Sequence, residues 1–209
     1  MGAMRGKLIT IEGGEGAGKS TNITFIKEYV EEKGLTPVMT REPGGTVLGE
    51  RVRQMVLSPD SGEMAAEAEL LLMFAARAQH IRDVIRPALE QGRWVICDRF
   101  IDASWAYQGA GRGIDSRYIA FLERWILADL MPDMTLLLDL PVETGMARVS
   151  QRGASDRFEQ EQLSFFERVR AAYRQRAEDC KDRFIVIDAS QDLPRVQASL
   201  ADALDTLLL

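Results

Sequence analysis

Four stretches of the chain are apolar almost without interruption. They are Leu8-Ile9-Thr10-Ile11, Trp94-Val95-Ile96-Cys97 before Asp98, Met134 to Leu140, and Phe184 to Asp188. Runs this short and this apolar predict strands covered on both faces. A weaker run, Thr36 to Thr40, predicts a fifth. Between them the spacing turns helical. Residues 21–33, 46–57, 64–91, 115–130 and 193–208 read as helices, with Pro87 placed to kink the long one. Two further helices follow Leu140, broken near Gly153. Residues 100–113 read as a glycine-rich loop with a short helix, and Asp60-Ser61-Gly62 as a turn. Strand and helix alternate throughout, which predicts an α/β domain around a mostly parallel sheet. No linker, repeat or low-complexity tract divides it. Residues 1–3 look like an expression scar ahead of a native Met4, leaving residues 4–209 as one domain.

Composition narrows the class. At 209 residues and 46% apolar the chain can bury a sizeable core. A net charge of −6 argues against a nucleic-acid partner held by a broad basic surface. Cys97 and Cys180 make neither a disulfide framework nor a zinc site, which fits a reducing cytoplasm. No run has the length of a membrane span, and no membrane is expected as partner. Arginines outnumber lysines 21 to 5, a bias that suits bidentate grip on phosphates.

The chemistry concentrates in Gly13-Gly14-Glu15-Gly16-Ala17-Gly18-Lys19-Ser20-Thr21, which fits G-x-x-x-x-G-K-[ST] between a strand and a helix. Glycines let backbone N–H groups approach a polyphosphate, Lys19 can reach its β- and γ-phosphates, and Ser20 can ligate Mg²⁺. The following helix offers its positive end. Glu15 is out of place in an anion cradle and must face something else. Asp98, ending an apolar strand, has the form of the second Mg²⁺ group. Together they imply a Mg²⁺–nucleoside triphosphate.

The acceptor is then the question. A guanine-reading Asn-Lys-x-Asp is absent, since Asn22 is the only asparagine. A small-molecule kinase remains. Arg99, beside Asp98, points at a second phosphate or at the one in transit, with Arg41 and Arg53 nearby. Arg148 and Arg152 share a helix face, and Gly153-Ala154-Ser155 precedes Arg157. This composition suits a lid over residues 148–160 that brings charge to the transferring group. A phosphate acceptor needs no general base. His80, the single histidine, reads as structural. Two rivals stay open: a deoxynucleoside kinase, which would need a base such as Glu12 or Glu15, and a nucleotide-binding protein without catalysis.

With these residues in hand the chain resembles bacterial thymidylate kinases nearly end to end. The likeness rests on the phosphate loop, Thr40-Arg41-Glu42-Pro43-Gly44-Gly45-Thr46, Phe74-Ala75-Ala76-Arg77, Asp98-Arg99-Phe100, Ala106-Tyr107-Gln108-Gly109 and Asp156-Arg157-Phe158-Glu159. The resemblance implies a phosphate-loop α/β/α fold with five parallel strands, a homodimer, and transfer from ATP to dTMP giving dTDP and ADP. It assigns Arg77 to the thymine ring. The ring-stacking position, usually Phe, is Met73 here, with Phe74 beside it as the favoured substitute. Ser104 and Gln108 resemble residues lining base and sugar, and Tyr107 a residue near the sugar 2′ position. Arg41, Glu42, Pro43, Arg53 and Arg99 resemble the dTMP side, and Glu15 is pointed at the 3′-hydroxyl. Lys19, Arg99, Arg152 and Arg157, together with Glu15, are the catalytic set implied. The phosphate loop lacks an arginine, so the lid is expected to supply the charge. Arg148, Ser190 and Gln191 are expected toward ATP, the last two toward adenine.

Overall fold

The computed structural model describes residues 5–151 and 156–208. The apolar runs become β1 (Leu8–Glu12), β2 (Val38–Arg41), β3 (Val95–Asp98), β4 (Met134–Asp139) and β5 (Phe184–Asp188), all parallel, in the order β2-β3-β1-β4-β5. Every residue of β1 is buried. A strand covered on both faces needs no polar alternation, hence its unbroken apolar run. Its side chains still alternate between two cores. Ile9 and Ile11 pack with Ile26 and Val30 of α1 (Lys19–Glu32) and with Leu200 and Leu204 of α9 (Leu193–Leu208). Leu8 packs on the other face with Phe74 of α3 (Ala66–His80) and Ile119 of α6 (Ser116–Leu127). These are the three layers expected of a phosphate-loop α/β/α domain. No helix among the described residues is long and apolar enough to cross a membrane.

Two stretches differ from expectation. The long helix meets Pro87, the expected kink site, with a change of winding. It widens into a π-helical turn over Ile81–Ile85 and continues as α4 (Arg86–Glu90). Proline lacks an N–H and crowds the carbonyl four residues back, and one wider turn absorbs both without ending the helix. Residues 100–113 are mostly helical: α5 (Ile101–Ser104) runs on as a π-helical stretch over Trp105–Gly111. Its glycines serve packing rather than a loop. A Cβ on Gly111 would lie 2.6 Å from the Phe165 ring of α8 (Leu163–Asp179). This close approach brings α8, and with it Tyr173, alongside the sheet edge.

That edge is where the ligand-binding crevice forms. The helix after β1 covers one face and those after β3 the other, so the loops part above these two strands. Register puts Ile11 beside Asp98 and Arg41 beside Asp98. α2 (Val47–Leu57) follows β2, its first turn capped by Thr46, whose Oγ1 accepts from Gly49 N at 2.9 Å. α7 (Val142–Ser150) leads toward the expected lid. Arg152 and residues 153–155 of that segment, like residues 1–3, lie outside the described residues.

Candidate active site

The phosphate loop is shaped by close backbone approach. Gly13, Gly16 and Gly18 all have positive φ, at 146°, 70° and 84°. A Cβ on Gly16 would stand 2.1 Å from the Gly145 carbonyl, and one on Gly145 would stand 2.3 Å from the Glu15 carbonyl. The loop is therefore seated directly on the α7 backbone, which only paired glycines permit. Arg148, on α7, donates to the Gly16 carbonyl at 3.3 Å. Lys19 Nζ donates to the carbonyls of Gly13 and Gly14, both at 3.2 Å. Enclosure lowers its pKa, as does the nearby Arg99, against the opposite pull of Glu15, Asp98 and Glu12.

Above the loop lies a cavity of about 240 Å³. Glu15 through Thr21 form one wall. Glu42, Pro43, Arg53, Met73, Asp98, Arg99, Tyr107 and Gln108 form the other. Donor-side and acceptor-side candidates thus share one space. Of the two side chains considered for the base contact, Met73 is on the cavity wall. Phe74 is turned into the core, 2% exposed, where its ring lies 4.8 Å from the Arg77 guanidinium. Helical geometry decides this, because neighbours on a helix point about 100° apart.

Arg77 is enclosed too. Its Nε donates to Glu42 Oε2 at 2.7 Å, Nη1 to Ser104 Oγ at 2.9 Å and Nη2 to the Phe100 carbonyl at 2.8 Å. The other Glu42 oxygen pairs with His80 Nδ1 at 2.9 Å, and His80 Nε2 with Thr40 Oγ1 at 2.6 Å. A buried charge is tolerable only when paired in this way. The cluster orders the loop after β2 behind the cavity.

Arg99 has the most constrained position. Among the described residues it is one of two non-glycine residues with positive φ, at 65°. Its guanidinium donates to the Gly13 carbonyl at 2.9 Å, to Tyr173 Oη at 3.1 Å and to Glu15 Oε1 at 2.7 Å, and lies 4.7 Å from the Tyr107 ring centre. Tyr107 Oη donates to the same Glu15 oxygen at 2.7 Å. Behind them Tyr173 Oη donates to Glu12 Oε2 at 2.7 Å and the Phe100 N–H to Glu12 Oε1 at 2.7 Å. Burial, and the Asp102 carboxylate nearby, push the Glu12 carboxyl up to about 7 against the pull of Arg99. Tyr173 is a part of the site that the sequence does not point to, and the sequence suggests Glu12 only as a base for the rival nucleoside-kinase reading. No local motif announces Tyr173, which arrives from 161 residues further along the chain.

Asp98 and Ser20 both reach the cavity, and Asp98 Oδ1 is buried with no hydrogen-bond partner among the described residues. A hard carboxylate oxygen and a hydroxyl suit Mg²⁺. The described residues hold no cluster of three or more His, Cys, Asp or Glu side chains.

Other expected residues lie elsewhere. Arg41 is exposed and pairs with Glu50 Oε2 at 3.0 Å, on an open surface hollow that also touches Arg53. Arg157 is tied down: Nε donates to the Val56 carbonyl at 2.8 Å and Nη2 to Glu69. Its neighbours Asp156, Phe158 and Glu159, within the expected lid segment, are on the cavity wall, as are Leu57 and Ala103, to which the sequence does not point. Asp156 turns this segment by accepting from the N–H groups of Phe158 and Glu159, both at 2.9 Å. Ser190 and Gln191 bond to Asp188 at the end of β5, away from the cavity wall.

The family model described as thymidylate kinase matches residues 11–200. A curated thymidylate kinase of Alcanivorax borkumensis is 55% identical over 198 residues, covering 95% of each chain. One from Pseudomonas putida is 56% identical over 201 residues, covering 96% of this chain and 95% of that one. The crystal structure of thymidylate kinase from Ehrlichia chaffeensis superposes with a TM-score of 0.78 at 33% identity, covering 96% of this chain and 99% of that one.

Proposed function

The chain belongs to the thymidylate kinase family, and from that premise we propose how its cavity transfers a phosphoryl group from ATP to dTMP, giving ADP and dTDP. The observation that supports the reading is the meeting of Lys19 and Ser20 with Arg53, Arg99 and Gln108 around one space. The loop of residues 13–21 holds the triphosphate, with Arg148 behind it. Arg53 and Arg99 hold the dTMP phosphate, whose oxygen forms the new bond to the γ-phosphorus as the bond to the ADP oxygen breaks. That oxygen is already anionic, so no base is required. Glu12, the buried candidate base, is spent on Phe100 and Tyr173, which disfavours transfer to a nucleoside hydroxyl.

Mg²⁺ would be held by Ser20 and Asp98, and when bound it offsets phosphate charge. Lys19, Arg99 and the lid arginine Arg152 add positive charge where negative charge builds up. Glu15, already accepting from Arg99 and Tyr107, is left to orient the sugar 3′-hydroxyl. Met73 covers the base. Ser190 and Gln191 are assigned to adenine on the resemblance alone. ADP release should be measured by a coupled assay with ATP and a panel of monophosphates. dTMP should be the best acceptor by at least about tenfold. Turnover no faster with dTMP than with AMP, GMP or CMP would overturn the reading.

We also propose a homodimer and a cytoplasmic location. α6 exposes Tyr118, Phe121 and Trp125, at 63%, 56% and 68%, more apolar surface on one helix than a monomer ordinarily leaves wet. Sedimentation should give twice the chain mass of 23.4 kDa. A single species at the chain mass would remove the dimer.

A further inference from the structure

Glu69, on α3, is a fully buried carboxylate that has no part in the chemistry above. Its Oε1 accepts from Gln108 Nε2 at 2.8 Å. Its Oε2 accepts from Arg112 Nε at 3.2 Å and from Arg157 Nη2. A carboxylate between two guanidinium groups offers only acceptors. The Gln108 amide therefore has one stable orientation, with Nε2 toward Glu69 and Oε1 turned away. Gln108 is 1% exposed and on the acceptor wall of the cavity, and its Oε1 is buried without a hydrogen-bond partner among the described residues. A buried carbonyl left unpaired is costly, so this oxygen marks a place built for a donor.

We infer that Glu69 is a positioning residue for base selection: it holds Gln108 as an acceptor, and so admits a pyrimidine whose ring nitrogen carries a proton, thymine or uracil, over cytosine, whose ring nitrogen carries a lone pair. With cytosine, two acceptors face each other. Flipping the amide to meet cytosine would turn Oε1 onto the Glu69 carboxylate, which repels it. Selectivity then resides in a residue that never touches substrate, because without Glu69 either amide orientation is available to Gln108. The inference rests on the dTMP reading and specifies which edge of the base that site reads.

The test compares kcat/KM for dTMP and dCMP in wild type, Glu69→Gln and Gln108→Met. A glutamine at position 69 can meet either face of the Gln108 amide. The dTMP-to-dCMP ratio should fall at least about tenfold in Glu69→Gln, through a raised KM for dTMP, because one misdirected buried hydrogen bond is worth about that much. A purely structural role would lower both substrates in proportion, and an unchanged ratio overturns the inference. Gln108→Met leaves the Glu69 pairs with Arg112 and Arg157 in place, so it remains informative if Glu69→Gln does not fold. It should relax the ratio similarly, and a ratio that holds in this variant also overturns the inference. Wild type using dCMP as well as dTMP would instead sink the dTMP reading beneath it.

Discussion

Replacing Lys19 by alanine should lower kcat at least about a thousandfold, ~4 kcal/mol of transition-state stabilisation, while the protein stays folded. The lysine donates to the Gly13 and Gly14 carbonyls, at 3.2 Å each. The loop's shape does not depend on it, because the contact of Gly16 with the Gly145 backbone sets that shape. Its ammonium is therefore available to the phosphates, and the loop carbonyls hold it at the cavity mouth. Enclosure already lowers its pKa, so it arrives poorly solvated and gains more from a developing negative charge than an exposed lysine would. Coupled ADP release with a parallel thermal melt separates the two effects. Turnover near wild type would mean that the triphosphate binds elsewhere.

Arg99→Met should lower kcat by about a hundredfold to a thousandfold, and Arg99→Lys should restore little of it. Methionine keeps the length of the stem and removes the fork. The fork is what matters here, since one nitrogen bonds Gly13 and Tyr173 while the other bonds Glu15. A lysine supplies charge but cannot hold these directions at once. Without the fork, Glu15 loses the neighbour that offsets its charge inside an anion site, and Tyr107 loses its cation. The left-handed backbone at φ 65° is further reason to read Arg99 as placed for function, since such strain persists where the surroundings over-determine it. Steady-state kinetics with varied dTMP decides: a raised KM at constant kcat would make Arg99 a ground-state grip and nothing more.

Much of this architecture is legible along the chain. Val95-Ile96-Cys97 is apolar because both faces of β3 are covered, and Asp98 is polar because the strand emerges there into the crevice. The glycines of the phosphate loop are legible for a similar reason, since a backbone that must approach phosphate cannot carry a Cβ. Local pattern misleads where a residue answers to a distant neighbour. Gly109 and Gly111 look like loop residues, yet they sit in a helix because Ile119 and Phe165 press against them. Pro87 looks like a kink point, and the fold answers it with one wide turn. Arg157 reads as a mobile lid cation, and the fold spends it on Glu69 and the Val56 carbonyl.

The site divides along the same line. Chain order alone determined the strand–loop–helix that meets a polyphosphate, the strand-end Asp98, and the alternation that makes the sheet parallel, because each depends on residues within a few positions of one another. Only the tertiary structure decided that Met73 and not Phe74 lines the cavity, that Tyr173 and Glu12 stand behind Arg99, and that Glu69 holds the Gln108 amide. Those choices depend on which way a side chain points and on what a helix far along the chain brings to meet it. Glu15 belongs to both accounts. Its position in the loop is written in the sequence, and its meaning comes from Arg99 and Tyr107, which lie 84 and 92 residues away and share one of its oxygens.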